Sequence, residues 1–243
     1  MIDKEYNKIL KQYHKLSDRH ILVVETDMPY SDVLKVMILS DKIRKAGNEL
    51  VRLMRKDYDQ LLRTKRYRKL LFLYGTTEDK SKRKILANQL NEMQKSYNVT
   101  WDYCRKSMIP IGKKYSIDAV FALTKAEDIW RGVEKCLYGN GNTIHFSKYG
   151  ELPCIRAKQK NRGIPVSVKD DKLQFKLGKT AFGIQVNDRF QQDEVDDILT
   201  YLAEPEIVDH KAVNTLIEDT YCIDTYRPCY ATIVPKMIRG KYR

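Results

Sequence analysis

The sequence predicts an α+β fold: a small β-barrel or sandwich with a mostly helical domain inserted after its first strand. Three observations carry this. An early run, HILVVETDMP at 20–29, has the β-branched residues and terminal proline of a strand that stops abruptly. Apolar residues then recur at helical spacing up to about residue 138, and from Gly139 the pattern changes to strict alternation. The chain divides into an N-terminal segment with the first strand (1–29), a helical domain (30–138) and the remaining strands with a helical insertion (139–243).

Taken in order, Ser31 and Asp32 offer a helix N-cap, and Val36, Leu39, Ile43, Ala46, Leu50 and Leu53 form one buried stripe. This is one long amphipathic helix, continuing or bending into 58–74 before Gly75 and the polar TTEDKS. Further helices are predicted over 79–96, over 99–109 before Pro110, and over 116–138. Beyond the turn signal GNGN, the stretches TIHFSKYG, IPVSVKD, KLQFKLG and TAFGIQV alternate as short strands, with Asp170-Asp171 as a hairpin turn. An acidic helix follows over QDEVDDILTYLAE, a further helical piece over 215–221, and CYATIVPKMIRGKYR returns to strand pattern.

The charge is lopsided. Residues 1–163 carry 34 Lys and Arg against 19 Asp and Glu, a net of +15, whereas residues 164–243 carry 11 against 13, a net of −2. A one-sided basic surface is the footprint of a polyanion binder, because each cation that neutralises a phosphate releases condensed counterions. The 42% apolar and 10% aromatic content is that of a folding chain, not a disordered tail. No window approaches the roughly 18 apolar residues of a membrane span, and MIDKEYNKILKQYHK lacks a signal-peptide core, so a cytoplasmic protein is expected. Five widely spaced cysteines without a Cys-x-x-Cys pair read as reduced and mostly structural.

The candidate site residues follow from this charge. At about 100° per residue, Arg44, Lys45, Asn48, Arg52, Arg55 and Lys56 fall on one arc of the long helix, opposite its apolar face. Such a ladder suits a phosphate backbone and gives little sequence discrimination. The competing reading is a solvated face, but only Asp41, Glu49, Asp57 and Asp59 accompany the cations. Next, Arg63, Lys65, Arg66, Arg68 and Lys69 surround Tyr67, an interleaving that suits a nucleic-acid groove; the bland alternative places Tyr67 in the core. Arg105, Lys106, Lys113 and Lys114 accompany Trp101 and Tyr103, one of whose rings is expected to be a packing anchor. Arg156, Lys158, Lys160 and Arg162 form a glycine-closed basic loop suited either to phosphate contact or to simple solvation.

No catalytic or metal site is legible. Asp193, Glu194, Asp196 and Asp197 are dense but diverge around one helix, and His14, His20, His145 and His210 share no ligand spacing.

With these residues in hand, the chain resembles the N-terminal half of TnpB proteins, RNA-guided nucleases of bacterial insertion sequences related to type V CRISPR effectors. The resemblance lies in SDKIRKAGNELVRLMRKDYDQLL, in VTWDYCRKSMIPIGKKYSIDAVFALTKAEDIWRGVEKCLYGNGNTIHF and in the terminal VPKMIRGKYR. It is a likeness of overall pattern from about residue 20 onward, without a diagnostic catalytic motif. It implies a wedge-type β-barrel interrupted by a helical recognition domain, gripping guide RNA, the guide–target heteroduplex and a short target-adjacent DNA motif. In that family a RuvC-like domain with metal-binding Asp and Glu and a zinc element follows the barrel. This chain stops at Arg243, before any of them, so the resemblance implies a truncated protein without its Mg and Zn, and binding without cleavage. A stand-alone RNA- or DNA-binding regulator, a recognition subunit completed in trans by a separate nuclease chain, and an inert remnant of a disrupted element are the competing readings.

Overall fold

The computed structural model describes residues 25–139, 141–157, 162–203 and 232–233. The elements are β1 (Glu25–Thr26), α1 (Tyr30–Arg63), α2 (Lys65–Thr76), α3 (Lys80–Ser96), α4 (Trp101–Lys114), α5 (Ala119–Tyr138), β2 (Ile155–Arg156), β3 (Val166–Lys169), β4 (Lys172–Leu177), β5 (Thr180–Phe182), β6 (Ile184–Gln185), α6 (Arg189–Ala203) and β7 (Thr232–Ile233). The predicted strand residues 20–24, the helical piece 215–221 and most of the terminal strand lie outside the described residues.

The 34-residue α1 is the spine of the helical block. It starts after Pro29, whose carbonyl accepts the amides of Asp32 and Val33 at 2.9 and 3.0 Å. Ser31 and Asp32 therefore lie inside the first turn, not at the cap; Asp32 binds Lys35 at 2.7 Å there and its charge suits the positive end of the helix. Thr64, at φ −74° and ψ 115°, breaks the helix and starts α2.

Against α1 pack α4 and α5, and the three share a core of Ala46, Leu50, Met54, Cys104, Met108, Ala126 and Val133, all fully buried. The sequence predicts an end before Pro110, yet α4 runs through it to Lys114. Pro110 is exposed while Met108 and Ile111 are buried beside it. Burying two such side chains stabilises by about 3–6 kcal/mol, enough to offset the roughly 3 kcal/mol that an interior proline costs. Gly112 permits the close crossing of α4 and α5, since a Cβ there would stand 3.0 Å from that of Ala122. The Tyr58 hydroxyl donates to the Cys136 carbonyl at 3.1 Å, and burial pushes its pKa up to about 12. Burial likewise pushes the Cys104 thiol up to about 12, as suits an inert packing group; Cys154, by contrast, is exposed.

Residues 143–150, predicted as a strand, form none among the described residues: 143–148 carry no regular secondary structure, and Tyr149 and Gly150 make a turn, Gly150 at φ +81°. Side chains of α1 take the place of a partner strand. The Asn48 amide donates to the Ser147 carbonyl and accepts the Ser147 amide, both at 2.9 Å, and Ser40 Oγ donates to the Pro153 carbonyl at 2.7 Å. This strap therefore covers one flank of α1.

The fold is α+β. Strand β1 pairs antiparallel with β6, Glu25 opposite Gln185 and Thr26 opposite Ile184, so the helical block lies between two paired strands in the sequence. The Gly183 amide reinforces the join, donating to Asp27 Oδ1 at 2.6 Å. Strand β2 pairs with β7, and β3, β4 and β5 form a meander whose first turn is the predicted Asp170-Asp171, both left-handed at φ 51° and 55°. Among the described residues these sheets hold two, two and three strands and form no closed barrel. Helix α6 packs on β3 and β4. Gly163 sits at φ +86° with Ala157 Cβ only 2.6 Å from where its own Cβ would stand, so a side chain there would clash as well as strain the backbone.

Candidate nucleic-acid interface

The arginine row on α1 splits in two. Arg44 is 7% exposed, not on an open face. Its Nε and Nη2 donate to Asp41 Oδ1 at 2.9 and 2.7 Å, and its guanidinium lies 5.5 Å from the Tyr149 ring centroid. Lys45 is exposed but pairs with Asp41 Oδ2 at 2.8 Å. These bonds, Lys45's first and Arg44's next, hold the Asp41 carboxyl below its usual range. Asn48 is spent on Ser147. The reason is the strap, which covers the first half of the arc and converts Arg44 and Asn48 into structural residues.

Beyond the strap the row is open. Arg52, Arg55, Lys56 and Arg63 are exposed and line one groove of about 350 Å³ with Asp59, Gln60 and Phe146. None of the ion pairs among the described residues uses these four cations. Phe146, 41% exposed, is held by the strap with its ring centroid 5.9 Å from the Arg55 guanidinium. A basic groove with one exposed ring can follow a phosphate backbone while stacking on a base or sugar. Sequence reasoning missed Phe146, because the alternation of TIHFSKYG suggests a strand and says nothing of which helix it lies against.

On α2, Lys65, Arg66, Arg68 and Lys69 are exposed, but Tyr67 is a core residue at 1% exposure and cannot stack on a ligand. Leu70 beside it is buried, while Leu71 is exposed. On α4, Arg105 and Lys106 share Asp102 at 3.3 and 2.7 Å, and Lys113 is exposed. Lys114 pairs with Glu49 at 2.8 Å, tying α4 to α1 and, with the Tyr115 hydroxyl, lowering the Glu49 pKa. Arg156 pairs with Asp128, Arg162 is exposed, and Lys158 and Lys160 lie outside the described residues. Exposed pairs such as those of Arg105 and Lys106 with Asp102 contribute little to stability and can exchange for a phosphate, whereas the Arg156–Asp128 pair is half-buried. Among the described residues, only the four α1 cations converge on the groove.

Among the described residues no acidic side chains converge comparably. Asp193 and Asp196 are exposed on α6, where Gln192 donates to Asp196 at 2.7 Å; the side chains of Glu194 and Asp197 lie outside the described set. Among the described residues no three His, Cys, Asp or Glu side chains gather as metal ligands, and no helix is long and apolar enough to cross a membrane. No protein-family profile, curated protein or solved structure matches the chain.

Proposed function

We propose that this chain binds nucleic acid through the groove of Arg52, Arg55, Lys56 and Arg63, as the wedge and recognition portion of a TnpB-like RNA-guided transposon protein. The single observation that carries the reading is that four cations free of ion pairs among the described residues converge beside an exposed Phe146. Guanidinium forks engage phosphate oxygens bidentately, so the groove suits a guide RNA or heteroduplex backbone. The pairing of β1 with β6 across the helical block supports the inserted-domain layout that this reading needs. The remaining strands are assigned to a wedge barrel, and the protein acts in the cytoplasm. Sequence specificity comes from base pairing by the guide, and the chain cleaves nothing by itself.

Sequencing the RNA that copurifies with the intact chain tests this. One or a few discrete structured species are expected; a sample of total cellular RNA, or none, overturns the guide-binding part. Addition of Mg²⁺ to the purified chain is expected to leave single- and double-stranded DNA intact, and cleavage that persists through repurification overturns the non-cleaving part.

A further inference from the structure

The chain has two tryptophans, and the fold brings both to one cavity. The connection from α3 to α4 turns sharply through Asn98 at φ 61°, with the amide of the buried Val99 donating to the Gln94 carbonyl at 2.8 Å. Thr100 then caps α4 through Tyr103 N at 3.2 Å. This turn carries Trp101 across the end of α3 to meet Trp130 of α5, ring centroids 6.5 Å apart and planes inclined at 48°. Trp101 stays 37% exposed, although burial of an indole is among the largest stabilising contributions a residue can make. The cavity opens to solvent and offers about 440 Å³, within the range of small-ligand sites.

Its polar groups sort by availability. Gln94 lines the floor with both ends of its amide engaged, donating to the Tyr67 hydroxyl at 3.3 Å and accepting from the Tyr138 hydroxyl at 2.7 Å. Glu92 and Lys95 neutralise each other at 2.8 Å. The side chains of Asn88 and Asn91, one turn apart on α3 and both exposed, bond no other described residue and can donate and accept at the edge of a ligand. The site is thus near neutral, aromatic on one side and amide-lined on the other. It suits a flat, polar, uncharged ring and offers no cluster of free cations for a phosphate.

We propose that this cavity receives one unstacked base of a single-stranded nucleic acid, stacked on Trp101 with its edge read by Asn88 and Asn91. The choice of nucleic acid rests on the function proposed above. A sugar site would share the aromatic and amide groups but would call for a free carboxylate to accept from paired hydroxyls, and Glu92 is already engaged. The basic side chains of Lys95 and Arg105 hold exposed pairs that a passing phosphate can displace.

Because both tryptophans line the cavity, intrinsic tryptophan emission of the intact chain reports this site alone. The probes are adenosine, a dye-labelled oligoadenylate followed also by anisotropy, and maltohexaose. Saturable quenching by adenosine and by the oligonucleotide is expected, with the midpoint weakened about 5- to 150-fold in Trp101→Ala, where Trp130 remains as reporter. The surface variant Asn91→Ala is expected to weaken it without loss of fold. Absence of quenching by both adenosine and the oligonucleotide overturns the proposal, whether or not anisotropy rises; anisotropy alone then judges the α1 groove. Quenching by maltohexaose but not by adenosine assigns the cavity to a sugar and overturns it as well.

Discussion

Replacing Arg44 by alanine separates the structural from the ligand-facing half of the α1 arginine row. Arg44 is 7% exposed and places two charge-assisted hydrogen bonds on one oxygen of Asp41. Such bonds contribute about 1.5–3 kcal/mol when their partners are protected. Here Asp41 keeps Lys45 at 2.8 Å and is itself 35% exposed, so its loss of Arg44 carries little orphan penalty. The contact with Tyr149, 94% exposed, adds about 0.5–1 kcal/mol. The sum is about 2–4 kcal/mol, and for a chain of this size each kcal/mol lowers Tm by about 2–4 °C, so a fall of roughly 4–16 °C is expected by thermal unfolding. RNA affinity measured well below Tm should keep the parent's dependence on salt, since no phosphate contact has been removed. An unchanged Tm together with a salt slope reduced by about 0.7–0.9, the signature of one lost phosphate contact, would refute the assignment.

Two further perturbations probe the packing of α1, one on its buried face and one at the strap. Asp57 is 9% exposed, and its Oδ2 has no hydrogen-bond partner among the described residues. Burial raises its pKa against the opposing pull of Lys56 and a Tyr103 hydrogen bond. A raised folded pKa means that the folded state holds the proton more tightly, so this contribution is full below the unfolded value near 4 and is lost as pH rises through the folded value. Asp57→Asn is therefore expected to be about 1 kcal/mol more stable than the parent at pH 7, with the advantage shrinking toward pH 4; denaturant titrations at both pH values check it. Asn48→Ala removes both clamps on Ser147 and releases Phe146 from the groove, so oligonucleotide affinity should fall several-fold with the salt slope unchanged; a variant that binds like the parent contradicts the strap's role.

What the sequence revealed and what it hid divide along a physical line. Local patterns were legible: the α1 stripe at Ile43, Ala46 and Leu50 is buried, Asp170-Asp171 forms the hairpin turn, and a helical block precedes the paired strands, although 143–150 forms no strand. Long-range coverage was not. A helical wheel places Arg44 and Asn48 with Arg52 and Arg55, because all face away from the apolar stripe, and it cannot see that a strap roughly a hundred residues later covers only the first pair. Tyr67 was ambiguous for the same reason, since a ring among cations reads alike whether α3 packs on it or a base does; here Leu90 and Gln94 of α3 are buried in the same core region. Pro110 misled because proline's local cost is readable from sequence, whereas the burial that outweighs it depends on α5.

The most direct test of the central claim is the salt dependence of RNA binding by the parent chain and by the triple variant Arg52→Ala, Arg55→Ala and Arg63→Ala. All three side chains line the groove and are exposed, so the fold should tolerate the change. If each neutralises one phosphate, the slope of log K against log salt should become shallower by roughly 2–3, and affinity at about 0.1 M salt should fall by roughly 10²- to 10³-fold, alike for all RNA sequences. A triple variant that matches the parent in both slope and affinity would contradict the account.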